Sequence, residues 1–210
     1  MSDISEKIKK IISASLSGDI EIVKKLVKEN KKLLEIPGYN SNTIFHNAVM
    51  NGHMEIVDFC LENDIDLSFS SDNGSQPLHM ASVNGYYDIS KKLIKRGSNI
   101  NAIADNERRP LHSASRVGHF KIVKLLIEHN ADIFVTDIES LNPLEAALMN
   151  VERNKETVKY LTKIYYNNYL NGITISKCYD IIPDDLVEEI IKFIIPIEKD
   201  ETWKVAGQKL

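Results

Sequence analysis

The sequence predicts an all-α solenoid of helix-turn-helix repeats, joined by short β-hairpin turns and followed by a C-terminal helical cap. Three observations predict this fold. A histidine and a glycine each recur three times at a step of 33 residues, and a proline recurs at the same step. Apolar residues at helical spacing follow each glycine. Because no single unit can bury such a face alone, the units must stack and share one core.

The repeats are clearest in residues 42–67, 75–100 and 108–133. Their shared positions are His46, His79 and His112; Gly52, Gly85 and Gly118; and Pro77, Pro110 and Pro143. A partial copy with Gly18 precedes them, and another follows in which Glu145 replaces the histidine. About five units therefore cover residues 1–165, with boundaries near 1–37, 38–70, 71–103, 104–136 and 137–165. Residues 166–210 form a separate C-terminal helical segment.

Each unit combines residues with distinct structural roles. The prolines suit the first helical position, and the glycines suit a left-handed helix end. Thr43 is a preferred N-cap, whereas Gln76, Arg109 and Asn142 depart from it, which predicts weaker helix starts. The three repeated histidines are expected to be buried and bonded to backbone. Stacking would separate them by about 8–10 Å, which is too far to share a metal ion.

The repeated pattern resembles the ankyrin repeat family, whose signature is T-P-L-H-x-A-A, then G-H-x-E-I-V and a leucine-rich helix. Residues 110–127 read PLHSASRVGHFKIVKLLI. The resemblance implies a noncatalytic module that binds a partner protein through a concave groove, lined by hairpin tips and first helices. Such a scaffold identifies no reaction by itself.

By position, the resemblance places two sets of residues in the protein-binding groove. The tips contribute Tyr39, Asn40, Asn42, Asn73, Ser75, Asn106 and Arg108. The first helices contribute Met50, Asn51, Val83, Asn84, Arg116 and Val117. Met50, Val83 and Val117 predict a small apolar seam, and an exposed Tyr86 would be a favoured interface anchor. The alternative is a scatter of surface apolar residues without a function.

Two arginines refine the prediction of the partner. Arg108 and Arg116 are expected to project into the groove from a tip and a helix. Planar guanidinium groups in that position would suit a partner with an acidic segment. The alternative is a solvated charge cluster that binds nothing.

Composition and motifs exclude other classes of function. The net charge of −4 argues against nucleic acid, and no apolar run reaches the roughly 20 residues needed to span a membrane. Neither G-x-S-x-G, nor a phosphate-binding glycine loop, nor H-E-x-x-H occurs, so no catalytic residue, cofactor or metal is predicted. An enzyme with an unrecognised site remains the alternative. Cys60 and Cys178 read as reduced thiols and the N-terminus does not resemble a signal peptide, which predicts a cytoplasmic or nuclear protein.

The C-terminal segment breaks the 33-residue period. Pro183 begins and Pro196 ends a predicted helix, whose apolar face includes Leu186, Ile190 and Phe193. So broad a face has to be buried, either on the last repeat as a cap or in a partner.

The run IIPDDLVEEIIKFI in this segment resembles the start of an F-box, as in the PRANC arrangement of ankyrin proteins from poxviruses and some intracellular bacteria. That resemblance implies host–virus interaction in a host cell, as a substrate adaptor of a cullin-type ubiquitin ligase. Ile182, Pro183, Leu186, Ile190 and Phe193 would dock on its Skp subunit, although Ile182 stands where an F-box usually has leucine. Cap and docking helix are compatible if the helix can detach.

Overall fold

The computed structural model describes the backbone of residues 2–171 and the side chains of residues 4–165. This part folds into a succession of α-helices joined by turns. The helices are α1 (Ser2–Ser17), α2 (Ile20–Glu29), α3 (Ile44–Asn51), α4 (Met54–Glu62), α5 (Pro77–Asn84), α6 (Tyr87–Lys95), α7 (Pro110–Val117), α8 (Phe120–Glu128), α9 (Pro143–Leu148) and α10 (Val151–Asn171). Short 3-10 helices at Lys31–Leu34 and Tyr39–Ser41 lie between α2 and α3.

The helices stack in two layers, which confirms the predicted all-α solenoid. The first helices of successive units, α1, α3, α5, α7 and α9, pack side by side in chain order. In the second layer α2 packs on α4, α6 on α8 and α8 on α10. Neighbouring first helices approach each other more closely than neighbouring second helices do. The stack therefore curves with its first helices on the inner, concave side.

One apolar core runs through all the units from Ile11 to Ile164. Its fully buried side chains include Phe45 in α3, Leu78 in α5 and Leu111 in α7. These residues occupy matching positions in successive first helices, and all three belong to the continuous core. Burial of the shared faces is the main force that holds the stack together.

The predicted β-hairpins are present as turns, and no β-strand occurs within residues 2–171. In the turn between α4 and α5, one backbone hydrogen bond runs from Ser71 N to Ser75 O at 3.0 Å. The return donor, Ser75 N, bonds instead to the Asn73 side chain at 3.1 Å. In the turn between α6 and α7, the Asn106 side chain accepts a hydrogen bond from Arg108 N in the same way. Because these side chains replace the second backbone bond of the pair, the two arms of each turn do not form a strand ladder.

The expected weak start of α9 is wrong. Asn142 Oδ1 accepts from Leu144 N and Glu145 N, both at 3.0 Å. Glu145 Oε2 in turn accepts from Asn142 N at 2.7 Å, which completes a capping box. Asparagine is among the best N-cap residues, and Glu145 here does what the histidine does in the earlier units.

The three repeated histidines are buried and bonded to backbone, which confirms the prediction. Each Nδ1 accepts from the N–H of the residue that precedes its helix, at 3.1–3.3 Å. Each Nε2 donates to a carbonyl at 3.0 Å: Phe69 for His46, Arg108 for His79 and Val135 for His112. Both ring nitrogens are therefore occupied. No group of His, Cys, Asp and Glu side chains in the described part could hold a metal ion.

We expect the stability of the stack to fall between pH 7.5 and pH 5.5. Burial lowers the pKa of His46, His79 and His112 below 6.5 and outweighs the backbone hydrogen bonds that raise it. The unfolded chain therefore binds more protons than the native chain, so stability is complete above about pH 6.5 and decreases as the pH falls below it. Urea unfolding at both pH values measures the effect. The His112→Gln variant should show a smaller difference, and equal stability of the wild-type chain at both pH values would contradict the prediction.

Candidate functional site

The predicted groove residues fall on the hairpin tips and on the C-terminal ends of the first helices. Tyr39 is 85% exposed. The other exposed members are Asn40, Met50, Asn51, Asn73, Val83 and Asn84. Half-buried members are Asn42, Ser75, Tyr86, Asn106, Arg108, Arg116 and Val117. Since the first helices form the inner layer of the curved stack, most of these residues border its concave side.

Apolar side chains recur at one position of the first helices, two residues before the helix-ending glycine in the units that have one. Leu16, Met50 and Val83 are 44%, 36% and 43% exposed there. Arg116 occupies the position in the fourth unit, and Met149 occupies it in the fifth with 58% exposure. These five residues are called the first-helix row below. Neighbouring helices pack at about 8–10 Å, so the row extends over roughly 40 Å.

The row contains two residues that sequence reasoning missed. Leu16 and Met149 lie in the first and last units, whose signatures are incomplete. The sequence did contain the signal, because Met149 follows Pro143 by six residues, as Val83 follows Pro77. Val117, which was predicted to belong to the seam, is one position further on and is half-buried.

The side chain that follows each glycine lies against the glycine of the preceding unit. A Cβ on Gly52 would lie 2.8 Å from the Tyr86 ring, and one on Gly85 would lie 2.5 Å from the His119 ring. Gly18 has the same relation to His53, and Gly118 to Asn154. The expectation of an exposed Tyr86 is therefore wrong, since its ring is half-buried and packs on the neighbouring unit.

Three of these side chains also fix the backbone of the first-helix row. His53 Nε2 donates to Leu16 O at 2.8 Å, and His119 Nε2 donates to Val83 O at 3.1 Å. Asn154 Nδ2 donates to Arg116 O at 3.1 Å. The second, fourth and fifth units thus hold the row residue of the unit before them, which sets the spacing of the row at those three boundaries.

Arg108 and Arg116 do not present open positive charges to the groove. Arg108 Nε lies 3.0 Å from Asp137 Oδ2, and its Nη2 lies 2.8 Å from Glu139 Oε1. Arg116 Nη1 lies 3.2 Å from Glu139 Oε2. Both arginines are already paired with carboxylates of the turn between α8 and α9, which is the hairpin tip of the fifth unit. These ion pairs give no support to the prediction of a partner with an acidic segment, which stays a prediction.

Asp137 is the buried carboxylate of this ion network. Its carboxylate is buried, which raises its pKa, but hydrogen bonds from Arg108 and from Leu141 N and Glu139 N outweigh that effect. The resulting pKa lies below the usual value, so Asp137 is ionised at neutral pH. The network therefore joins the fourth and fifth units and holds Arg108 in place.

Cys60 does not have the character of a catalytic nucleophile. Cys60 is buried and unpaired, and burial raises the pKa of its thiol to about 12, so the thiolate is scarce at neutral pH.

No helix within residues 2–171 has the length and apolar character to cross a membrane. The predicted C-terminal cap and the F-box-like residues Ile182, Pro183, Leu186, Ile190 and Phe193 lie outside the described residues.

Comparison with protein families finds a known repeat family. A model for ankyrin repeats, in three copies, matches residues 11–104 and 97–171. These two spans together cover more than half of the chain. The search of curated proteins finds no match.

Proposed function

Because the chain belongs to the ankyrin repeat family, whose members generally mediate protein–protein interactions and are typically noncatalytic, we propose that it binds a partner protein through its concave side. The contact surface consists of the first-helix row and the adjoining hairpin tips. No cofactor takes part in this function.

The first-helix row is the observation that supports this surface. Four of its five residues are large, apolar and exposed, although solvent would favour polar side chains at those positions. Scattered surface apolar residues would not be expected to recur at the same position of successive helices. Met50 and Val83 lie on adjacent helices, α3 and α5, and form its central pair. A protein segment with apolar side chains at matching intervals would bury them together.

Polar groups beside the row would supply specificity. Asn51 and Asn84 each follow a row residue and are exposed, so they are available at the rim of the surface. Their side chains already donate to the carbonyls of Asn47 and Met80, which leaves the amide oxygens as acceptors. An apolar centre with a polar rim is the usual anatomy of a protein interface.

Changing the central pair of the row should weaken partner binding strongly. We expect Met50→Asp with Val83→Asp to weaken the partner complex by about 2–4 kcal/mol, or roughly 30- to 1,000-fold, because two carboxylates would be buried in an apolar contact. Affinity purification with mass spectrometry identifies the partner on the wild-type chain, and titration calorimetry measures the affinity of each variant.

Lys91→Gln with Lys121→Gln is the matched control for this experiment. Both lysines are exposed and lie in α6 and α8, in the second layer of helices, away from the row and the hairpin tips. The control variant should bind as the wild-type chain does, since it changes the net charge by the same two units on the opposite side of the stack. Equal binding by the Met50→Asp, Val83→Asp variant and the wild-type chain would exclude the row as the contact surface.

A second function rests on the run IIPDDLVEEIIKFI. If residues 182–193 dock on a Skp subunit, the repeats would hold a substrate for a cullin-type ubiquitin ligase in a host cell. Both functions place the protein in the cytoplasm or nucleus, in keeping with two cysteines that form no disulfide spacing pattern.

A further inference from the structure

A matching position faces each of the four boundaries between units, and the residue there differs in the third unit. His53, His119 and Asn154 each donate from a side-chain nitrogen to the carbonyl of the preceding row residue, at 2.8–3.1 Å. Tyr86 holds this position in the third unit. Within the part of the chain that the structure describes, no side chain donates to Met50 O. The boundary between the second and third units therefore lacks the polar tie of the other three.

The backbone at this position is the same in the second, third and fourth units, so the difference lies in the side chain alone. The φ and ψ angles are −78° and 81° at His53, −81° and 81° at Tyr86, and −77° and 70° at His119. Each backbone N–H donates to the carbonyl five residues earlier, at 2.9–3.0 Å. The Tyr86 ring packs on Gly52 but carries its only polar atom at the far end, whereas an imidazole has a donor on the ring itself. Tyr86→His would therefore place a donor within reach of Met50 O.

The outer layer of helices is also less closely packed at this boundary. The backbones of α4 and α6 approach each other less closely than those of α2 and α4, α6 and α8, or α8 and α10. Long charged side chains span the gap, since Lys92 pairs with Asp58 and Arg96 donates to Leu61 O. The Lys92 and Asp58 side chains are 42% and 41% exposed, and ion pairs of this kind contribute little to stability. The flexible stem of a lysine also lets such a pair persist while the two helices move.

The inner side of the same boundary stays closed. The helices α3 and α5 pack side by side, as the other neighbouring first helices do. At the hairpin tips, Asp72 N donates to Asn40 O at 3.0 Å, and Ser41 Oγ donates to the Asp72 carboxylate. Two bodies that are joined along one side and loose along the other can rotate about the joined side. The contact between α3 and α5 is therefore the axis about which this boundary can rotate.

We propose that the boundary between the second and third units is a hinge of the stack. The first two units and the last three move as two bodies, which rotate about the contact between α3 and α5. When α4 approaches α6 the stack straightens, and when the two helices separate the concave side closes. Met50 and Val83 lie on opposite sides of the axis, so the same rotation changes the spacing at the centre of the first-helix row. The hinge is a property of the free chain and does not depend on what the concave side binds.

Distances between nitroxide labels on the full chain test the hinge. The test pair is Glu21→Cys with Asp88→Cys, which spans the first two boundaries, and the matched pair is Asp88→Cys with Glu156→Cys, which spans the last two. All three sites are exposed and occupy the same position of α2, α6 and α10. Both pairs also carry Cys178→Ser. Cys60 is buried and the pKa of its thiol is raised to about 12, so it takes up little label.

Double electron–electron resonance measures the distance distribution of each pair. The labelled positions are at least about 16–20 Å apart, because each pair spans two helix-packing distances. We expect a wider distribution for the test pair than for the matched pair, since the test pair alone spans the hinge. Equal widths, or a wider distribution for the matched pair, would overturn the proposal.

Three variants test the part that Tyr86 plays in the hinge. Tyr86→His restores a donor for Met50 O and should narrow the distribution of the test pair to the width of the matched pair. Tyr86→Phe keeps a ring without a donor and should leave the distribution wide. His119→Tyr removes the bond to Val83 O and should widen the distribution of the matched pair.

Circular dichroism verifies that each labelled variant keeps the helix content of the wild-type chain. The comparison of the two pairs needs none of these variants, so it stands if one of them fails to fold. A folded Tyr86→His variant whose test distribution stays as wide as before would contradict the proposed hinge.

Discussion

Replacing Phe45 with alanine is expected to lower the free energy of unfolding by about 3–5 kcal/mol. Phe45 is fully buried in α3 and belongs to the core that α3 shares with its neighbours. Its removal would leave a cavity between units, and the close packing of α1 and α5 on α3 leaves little room for collapse. The loss should therefore approach the upper part of the range for a phenylalanine truncation.

Urea unfolding followed by far-UV circular dichroism measures this loss. Tyr39→Ala is the control, because it also truncates an aromatic residue but at a site that is 85% exposed. We expect that change to stay within about 0.5 kcal/mol of the wild-type chain. Equal losses for the two variants would mean that Phe45 does not contribute to a shared core.

Replacing Gly118 with alanine is expected to cost about 2–5 kcal/mol, through two separate effects. Gly118 has φ of +84°, and a left-handed conformation costs an alanine about 1–2 kcal/mol. The new Cβ would also lie 2.1 Å from Asn154 Oδ1. Asn154 would have to move and give up its bonds to Arg116 O and Ala147 O, each contributing about 0.5–1.5 kcal/mol.

Gly97 offers a control in which only the first effect operates. Its φ is +89°, yet nothing lies within 4 Å of a Cβ placed there. We expect Gly97→Ala to cost only about 1–2 kcal/mol, so the difference between the two variants measures the close approach of Asn154. Adding Asn154→Ala to Gly118→Ala should cost less than the sum of the single changes. If Gly97→Ala and Gly118→Ala lost the same stability, the contact between the fourth and fifth units would not be tight.

The repeat step alone was enough to predict the helical pairs and their stacking. Proline, histidine and glycine set the start, the buried hydrogen bonds and the end of each first helix, and all three are visible as letters at a fixed interval. The chemistry of individual caps was harder to predict, because it depends on which side chain reaches the backbone. Asn142 and Glu145 both depart from the family pattern. Neither residue taken alone indicates that the two side chains form a capping box.

The candidate surface was predicted only in part, for a related reason. Met50 and Val83 were found because their units match the signature well. The pairing of Arg116 was not found, because Glu139 is 23 residues away in sequence and becomes a neighbour only when the units stack. Tyr86 was misjudged in the same way, since the glycine that it covers belongs to another unit. Contacts between units are thus the part of the site that a single repeat cannot reveal.

The bonds that run to the preceding row residue at three of the four unit boundaries have a consequence for growth by duplication. The register of the row is set locally, by one side chain and one carbonyl on either side of a boundary. Copying the fourth unit, whose His119 bonds to the row residue before it, would add one rung without disturbing the others. The reach of the concave side can therefore lengthen stepwise over evolution while every existing boundary keeps its geometry.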